Sequence, residues 1–174
     1  MTPVFDWTGR AVLLAAVLTT IGCDRVTKHV ATITLAGEPI RSYAADTIRI
    51  GYVENPGGFL SLGAALPPGV RTLIFTGATG LMLVVLGAMA IRRRMTGWPA
   101  LGLALFLAGG LSNWIDRVAD GVVVDFLNVG IGPIRTGVFN VADVAILGGA
   151  LLFAIGEFRR RPERPVSSPV DVEP

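Results

Sequence analysis

Two aspartates stand where an apolar chain tolerates them least. Asp125 closes the run Gly121-Val-Val-Val-Asp-Phe126, and Asp143 lies in Phe139-Asn-Val-Ala-Asp-Val-Ala-Ile146, at the head of a hydrophobic stretch. A carboxylate at the centre of a membrane helix costs roughly 2.5–3.5 kcal/mol on insertion scales, so such groups face a polar cavity or a partner. Two carboxylates close together in a desolvated setting cannot both ionise, and the pair holds one proton. One member can then activate a water while the other protonates the carbonyl oxygen of an amide, each role contributing roughly 10²–10⁴ in rate. A plainer reading stands beside this one. Asp143 caps a helix start, where the backbone dipole favours negative charge, and Asp125 is a water-exposed loop residue.

The elements that must position these residues are membrane helices. The 174-residue chain is 52% hydrophobic, with mean hydropathy +0.62, too apolar for an ordinary soluble domain. Thr72–Ile91 is free of charge and long enough to cross about 30 Å of hydrocarbon. Trp98–Ile115 and Val138–Phe158 read similarly. A first span runs from about Ala11 to Cys23 and continues as helix past Lys28, with its polar residues at the far membrane face. The expected fold is therefore an all-α membrane protein of four transmembrane helices. Between the first two spans, Asp46–Val53 alternates Ile48, Ile50 and Tyr52 against Arg49 and Gly51, the period of a half-buried strand. Asn55-Pro-Gly-Gly58 supplies a turn, Pro67-Pro68-Gly69 ends the segment, and strand-like Val122–Phe126 precedes the glycine-rich Gly130–Pro133. A small β-sheet on the outer surface follows. Residues 1–161 form one integral membrane domain with a β-rich insertion at about 38–66, and 162–174, rich in proline, serine and acid, are a disordered tail. Arg10, Arg92–Arg94, Arg159–Arg161 and Arg164 cluster in short flanks on one side, which places both termini in the cytoplasm.

No basic stripe with interleaved aromatics appears, so the small positive charge reflects topology and not nucleic-acid binding. One cysteine and one histidine, Cys23 and His29, are too few for a zinc or iron–sulfur site, and no cofactor is expected. Arg10, an apolar run and Thr20-Ile-Gly-Cys23 resemble a lipidation signal, but a small buried residue in the first helix is the better reading of Cys23. Asp24 and Lys28, four apart on a helix, read as an ordinary pair worth a few tenths of a kcal/mol. In Asn113-Trp-Ile-Asp-Arg117, Asp116 and Arg117 do not face one another and suit ion pairing at the helix end. Gly109-Gly110 lets another helix approach closely. Ser61 and Ser112 have no obvious base, so a serine–lysine hydrolase built on Lys28, the only lysine, is a weak alternative.

The order of these pieces resembles the lipoprotein signal peptidase (signal peptidase II) family. The matching segments are Asp24-Arg-Val-Thr-Lys28, Asn55-Pro-Gly57 with Ser61, Gly109 with Asn113-Trp-Ile-Asp-Arg117, Val123-Val-Asp-Phe126 and Phe139-Asn-Val-Ala-Asp143. The resemblance implies a monomeric inner-membrane aspartic protease that works without metal or cofactor. It cuts signal peptides from prolipoproteins after the neighbouring cysteine has received a diacylglyceryl group, and it is blocked by the cyclic lipopeptide globomycin. Its partners are lipid-modified prolipoprotein and membrane lipids. By the same resemblance Asp125 and Asp143 are catalytic at the periplasmic face, and Asp24, Lys28, Asn55, Gly109, Asn113, Asp116, Arg117 and Asn140 support them. Two departures bear on the substrate groove: Asn55-Pro-Gly-Gly-Phe-Leu-Ser61 brings its aromatic one position early, and Ser112 replaces a common glycine. Two other classes compete with this reading. A small proton-coupled carrier or relay expects acids along a path through the spans, and a non-catalytic assembly subunit would tolerate loss of both aspartates.

Overall fold

The structure, a computed structural model, describes residues 7–58 and 61–160. The expected tail at 162–174 and the aromatic of the second motif, Phe59, lie outside the described residues. In chain order the elements are α1 (Trp7–Leu35), β1 (Arg41–Tyr43), β2 (Ile48–Asn55), α2 (Pro68–Arg92), α3 (Gly97–Ala119), β3 (Val123–Ile131), β4 (Ile134–Arg135) and α4 (Val141–Arg160). The molecule is mostly helical, with one small antiparallel sheet of order β1-β2-β3-β4.

Three helices, α2, α3 and α4, are long and apolar enough to cross a membrane. Helix α1 carries Arg10, Asp24, Arg25 and Lys28 and is not among them. Its polarity is inverted relative to a soluble helix. Asp24, Lys28, Ala31 and Leu35 recur at helical spacing on the buried face, whereas Leu14, Leu18, Val26, Val30 and Ile33 point outward. Cys23 is exposed on this outer surface, which corrects the expectation of a buried residue. Small apolar residues need no protein cover where the surroundings are themselves apolar.

The second span starts earlier than expected. Pro67-Pro68-Gly69 does not end the preceding segment, because Pro68 is the first residue of α2, where its missing N–H costs nothing. Over Thr72–Ala78 the helix widens to i→i+5 bonding, with the Thr79 N–H donating to the Ile74 carbonyl. The Thr76 carbonyl in this stretch accepts from Trp114 Nε1 at 2.8 Å, which fastens α2 to α3.

Helices α3 and α4 meet backbone to backbone. A Cβ on Gly102 would lie 2.4 Å from the Phe153 nitrogen, one on Gly109 2.4 Å from the Ala142 carbonyl, and one on Gly149 2.6 Å from the Gly102 carbonyl. Without a driving force between helices from water, such small-residue contacts let dispersion hold the pair together. They also set the height of α4 against α3, and with it the positions of Asp143 and Asn113.

The sheet grows from the expected alternation but extends further. β2 runs to Asn55 and pairs with β3 through Ile50↔Leu127, Val53↔Asp125 and Asn55↔Val123, with a register shift between Ile50 and Val53. The glycine-rich stretch after Phe126 continues β3 to Ile131 and turns into β4. Ile50, Tyr52, Val124 and Leu127 pack against Ala31, Leu35 and Phe126, so the sheet sits on the C-terminal end of α1. A single bridge, Leu127↔Phe139, then leads the chain into α4. It places Asn140 beside Asp125.

Candidate active site

Asp125 is 1% exposed and is a strand residue, not a loop residue facing water. Asn140 Nδ2 donates to its Oδ1 at 2.6 Å and Asn55 Nδ2 to its Oδ2 at 2.9 Å. Asn55 is itself fixed by the turn that follows: its Oδ1 accepts from the Gly57 N–H at 3.0 Å and its Nδ2 also reaches the Gly58 carbonyl at 3.0 Å. The turn is tight for a reason of space, since a Cβ on Gly57 would meet the Leu62 carbonyl at 2.5 Å.

Asp143 sits in the first turn of α4, within Asn140-Val-Ala-Asp143. Its N–H donates to Asn140 Oδ1 at 2.9 Å, and its Oδ2 accepts from the Asn140 N–H at 3.1 Å. This is the reciprocal capping arrangement of a helix N-terminus, so the capping role read from the sequence is present. Its second oxygen, Oδ1, accepts from Asn113 Nδ2 at 3.0 Å. Asn140, fully buried, therefore touches both carboxylates: through its side-chain amide at Asp125 and through its backbone at Asp143.

Behind this pair lies a buried polar network from α1 and α3. Lys28 Nζ donates to Asn113 Oδ1 at 2.7 Å and Asp116 Oδ2 at 2.6 Å, and pairs with Asp24 Oδ2 at 2.7 Å. With Asn113 Oδ1 occupied by the ammonium, the amide is oriented to present Nδ2 to Asp143. Asp24, 0% exposed, accepts from the Ala142 N–H at 2.8 Å and from Ser112 Oγ at 2.7 Å. It satisfies an N-terminal amide of α4 from another helix. Asp116 also pairs with Arg25.

The i,i+4 pair of Asp24 and Lys28 is present, but its reading as an ordinary pair worth a few tenths of a kcal/mol is corrected. Both are buried and each has further partners, so removal of either leaves an uncompensated charge. Asp116 has the ion-pairing role expected at the helix end. Arg117 does not: among the described residues it forms no ion pair. Instead Nη2 donates to the Gly57 carbonyl at 2.6 Å and Nη1 to the Asn113 carbonyl at 3.2 Å, with the guanidinium 5.9 Å from the Phe75 ring centre. It clamps the Asn55 turn to α3.

All ten residues singled out from the sequence lie in this one region, with Gly109 acting through the close approach to Ala142. Three were missed. Ser112 looked like a serine without a base, yet its hydroxyl holds Asp24. Arg25 and Phe75 carried no signal beyond their type. Among the described residues no group of His, Cys, Asp and Glu is placed to hold a metal.

Burial pushes the Asp125 carboxyl up to about 6, and the negative charge of Asp143 adds to the effect, while the bonds from Asn55 and Asn140 and the charge of Lys28 oppose it. A cleft of about 300 Å³ opens beside the site, lined in part by Pro56, Phe75, Thr76, Arg117 and Val122. Two carboxylates from different elements, joined through one asparagine at the end of the helix bundle, form an arrangement suited to proton transfer at a peptide bond.

Comparison with known proteins shows the family of the chain. A family model described as "Signal peptidase (SPase) II" matches residues 16–159. The lipoprotein signal peptidase of Mycobacterium tuberculosis is 39% identical over 151 residues, covering 82% of this chain and 69% of that protein. The lipoprotein signal peptidase of Streptococcus pneumoniae is 32% identical over 149 residues, covering 84% and 92%. A bacterial membrane enzyme solved by the in meso method superposes with a TM-score of 0.73 at 21% identity, over 88% of this chain and 94% of that one. That last likeness speaks to the fold. The family model spans most of the chain, both relatives exceed 30% identity over more than two thirds of it, and the chain belongs to the signal peptidase II family.

Proposed function

We propose that this chain is a bacterial inner-membrane endopeptidase that frees lipid-modified prolipoproteins of their signal peptides, with Asp125 and Asp143 as its catalytic pair. As a signal peptidase II it is an aspartic peptidase acting on prolipoproteins; the cut before a diacylglyceryl cysteine and the roles of the two residues are the proposal. The observation that carries it is Asn140, whose two nitrogens reach one oxygen of each carboxylate.

In the resting pair one carboxyl keeps its proton, and we assign it to Asp125, because Asp143 lies in the first turn of α4, where the backbone dipole favours the ionised form. A water between them loses a proton to the ionised Asp143 and attacks the amide carbon, while Asp125 protonates the carbonyl oxygen. The resulting gem-diol collapses as Asp143 returns its proton to the leaving nitrogen and the C–N bond breaks; Asp125 recovers its proton from the diol. Asn55, Asn113 and Asn140 keep the carboxylates oriented throughout, and the Asp24–Lys28–Asp116 cluster keeps Asn113 and the α4 N-terminus in place. Positioning of this kind lowers the barrier because little reorganisation remains at the moment of reaction.

We further assign α1 as a fourth span. Its apolar outer face suits acyl chains, and its charged groups turn inward to partners. With four crossings both termini are cytoplasmic, the aspartates lie at the periplasmic face, and one monomer holds every residue of the site. A proton-coupled carrier fits less well, because α2 has no acidic residue and the acids of the network crowd one end of the bundle.

The test is to incubate purified protein with diacylated precursor and follow release of the signal peptide. The parent cleaves and globomycin blocks it; Asp125→Asn and Asp143→Asn do not cleave, yet remain folded in the membrane. Cleavage persisting in both variants removes the pair from the mechanism.

A further inference from the structure

At the opposite end of the bundle, α2, the turn after it, α3 and α4 enclose a larger cleft of about 450 Å³. Leu86 and Met89 from α2, Leu103 and Phe106 from α3 and Phe153 from α4 make its walls apolar. Its rim is cationic. Arg93 and Arg94 line it and are exposed, and among the described residues neither pairs with a carboxylate. Glu157 is the single acid on the lining, so two guanidinium groups stand against one carboxylate. Arg94 also holds a left-handed backbone, φ +46°, a conformation for which glycine or asparagine is the less strained choice.

We propose that this cleft is a binding site for one anionic phospholipid, its acyl chain on the apolar walls and its phosphate at Arg93 and Arg94. The volume lies within the range of pockets that enclose small ligands. Basic rims between membrane helices suit anionic headgroups, and the planar guanidinium matches phosphate oxygens in pairs. A zwitterionic lipid satisfies the walls equally, but its ammonium group gains nothing at a cationic rim. A basic peptide segment meets charge of its own sign there. The catalytic reading of Asp125 and Asp143 plays no part in this assignment.

Native mass spectrometry of the detergent-purified full chain tests it. The protein is titrated with phosphatidylglycerol and with phosphatidylcholine of the same acyl length. One phosphatidylglycerol per chain is retained with roughly thirty-fold preference, the contribution of two basic side chains near a lipid surface. Arg93→Gln with Arg94→Gln abolishes the preference, and the paired lysine variant keeps most of it. Ala150→Trp, which fills the cleft with both arginines intact, expels both lipids; circular dichroism establishes that each variant is folded. Equal retention of the two lipids by the parent overturns the proposal without any variant. So does a preference that survives the glutamine pair, binding unchanged by Ala150→Trp, or displacement of the phospholipid by an equimolar basic peptide.

Discussion

Asn140→Ala separates the geometry of the site from its chemistry. The substitution removes the Oδ1 that accepts from the Asp143 N–H, a capping bond worth about 1 kcal/mol. It also removes the donor that reaches Asp125 Oδ1 at 2.6 Å, a bond worth roughly 1.5–3 kcal/mol in the transition state, where Asp125 gives up its proton and becomes charged. If the combined loss falls on the transition state, kcat/KM drops by roughly 10²–10³, at about 1.4 kcal/mol per decade. A second readout distinguishes orientation from mere packing. The Asn140 bond holds the Asp125 carboxyl down against its burial, so its loss raises that group further and moves the basic limb of the pH profile upward. Asn140→Asp restores an oxygen for the helix cap but sets another oxygen against Asp125, so it does not rescue the rate. The assay is cleavage of a diacylated precursor by purified protein across pH, with thermal melts in the same detergent. An Asn140→Ala enzyme within about threefold of the parent, with an unmoved basic limb, refutes the view that this residue organises the pair.

Other outcomes follow from the same contacts. Asp125 keeps its proton to about pH 6, so kcat/KM declines above that value, about tenfold per unit. The same proton affects stability: the folded chain holds it more tightly than the unfolded chain, so this group's contribution is full below about pH 4 and is lost as pH rises through about 6. Melts of Asp125→Asn therefore lack this pH dependence. Lys28→Met leaves Asp24 and Asp116 buried beside a neutral side chain and costs about 3–5 kcal/mol, read as a lowered melting temperature with loss of cleavage. Gly109→Val drives a side chain into the Ala142 carbonyl and costs about 1–3 kcal/mol or more, lowering kcat as Asn113 and Asp143 move apart.

Much of this architecture is written locally. The alternation of Ile48, Ile50 and Tyr52 gives β2, and the turn residues after Asn55 give the bend that aims it. The apolar runs give α2, α3 and α4 to within a few residues. What failed did so for identifiable reasons. Pro68 was read as a terminator, although proline is also a helix starter. Cys23, expected inside as a small residue of the first helix, lies on its exposed face, because residue size says nothing of which face is covered. The spacing of Asp24 and Lys28 gives their pairing on one helix but not its weight, because it reports nothing of the helix opposite. Ser112 shows no base in the sequence and so no role there, whereas its hydroxyl serves Asp24. One signal was available and unused: Gly102 and Gly109 on α3, and Gly149 and Gly156 on α4, recur at two-turn intervals, and Gly149 and Gly156 would each clash with α3 if given a Cβ.

The inward charges of α1 carry a consequence for biosynthesis. A ribosome delivers this chain from its N-terminus, and Lys28 meets Asp116 only 88 residues later. At roughly 5–20 residues per second that interval lasts roughly 4–18 s, during which Asp24 and Lys28 have only one another. On the four-span reading, the nascent first helix waits beside the insertion machinery or a holding factor until α3 arrives. On the same reading, a chain whose translation stops before Asp116 leaves Arg25 without its carboxylate, a ready mark for membrane quality control.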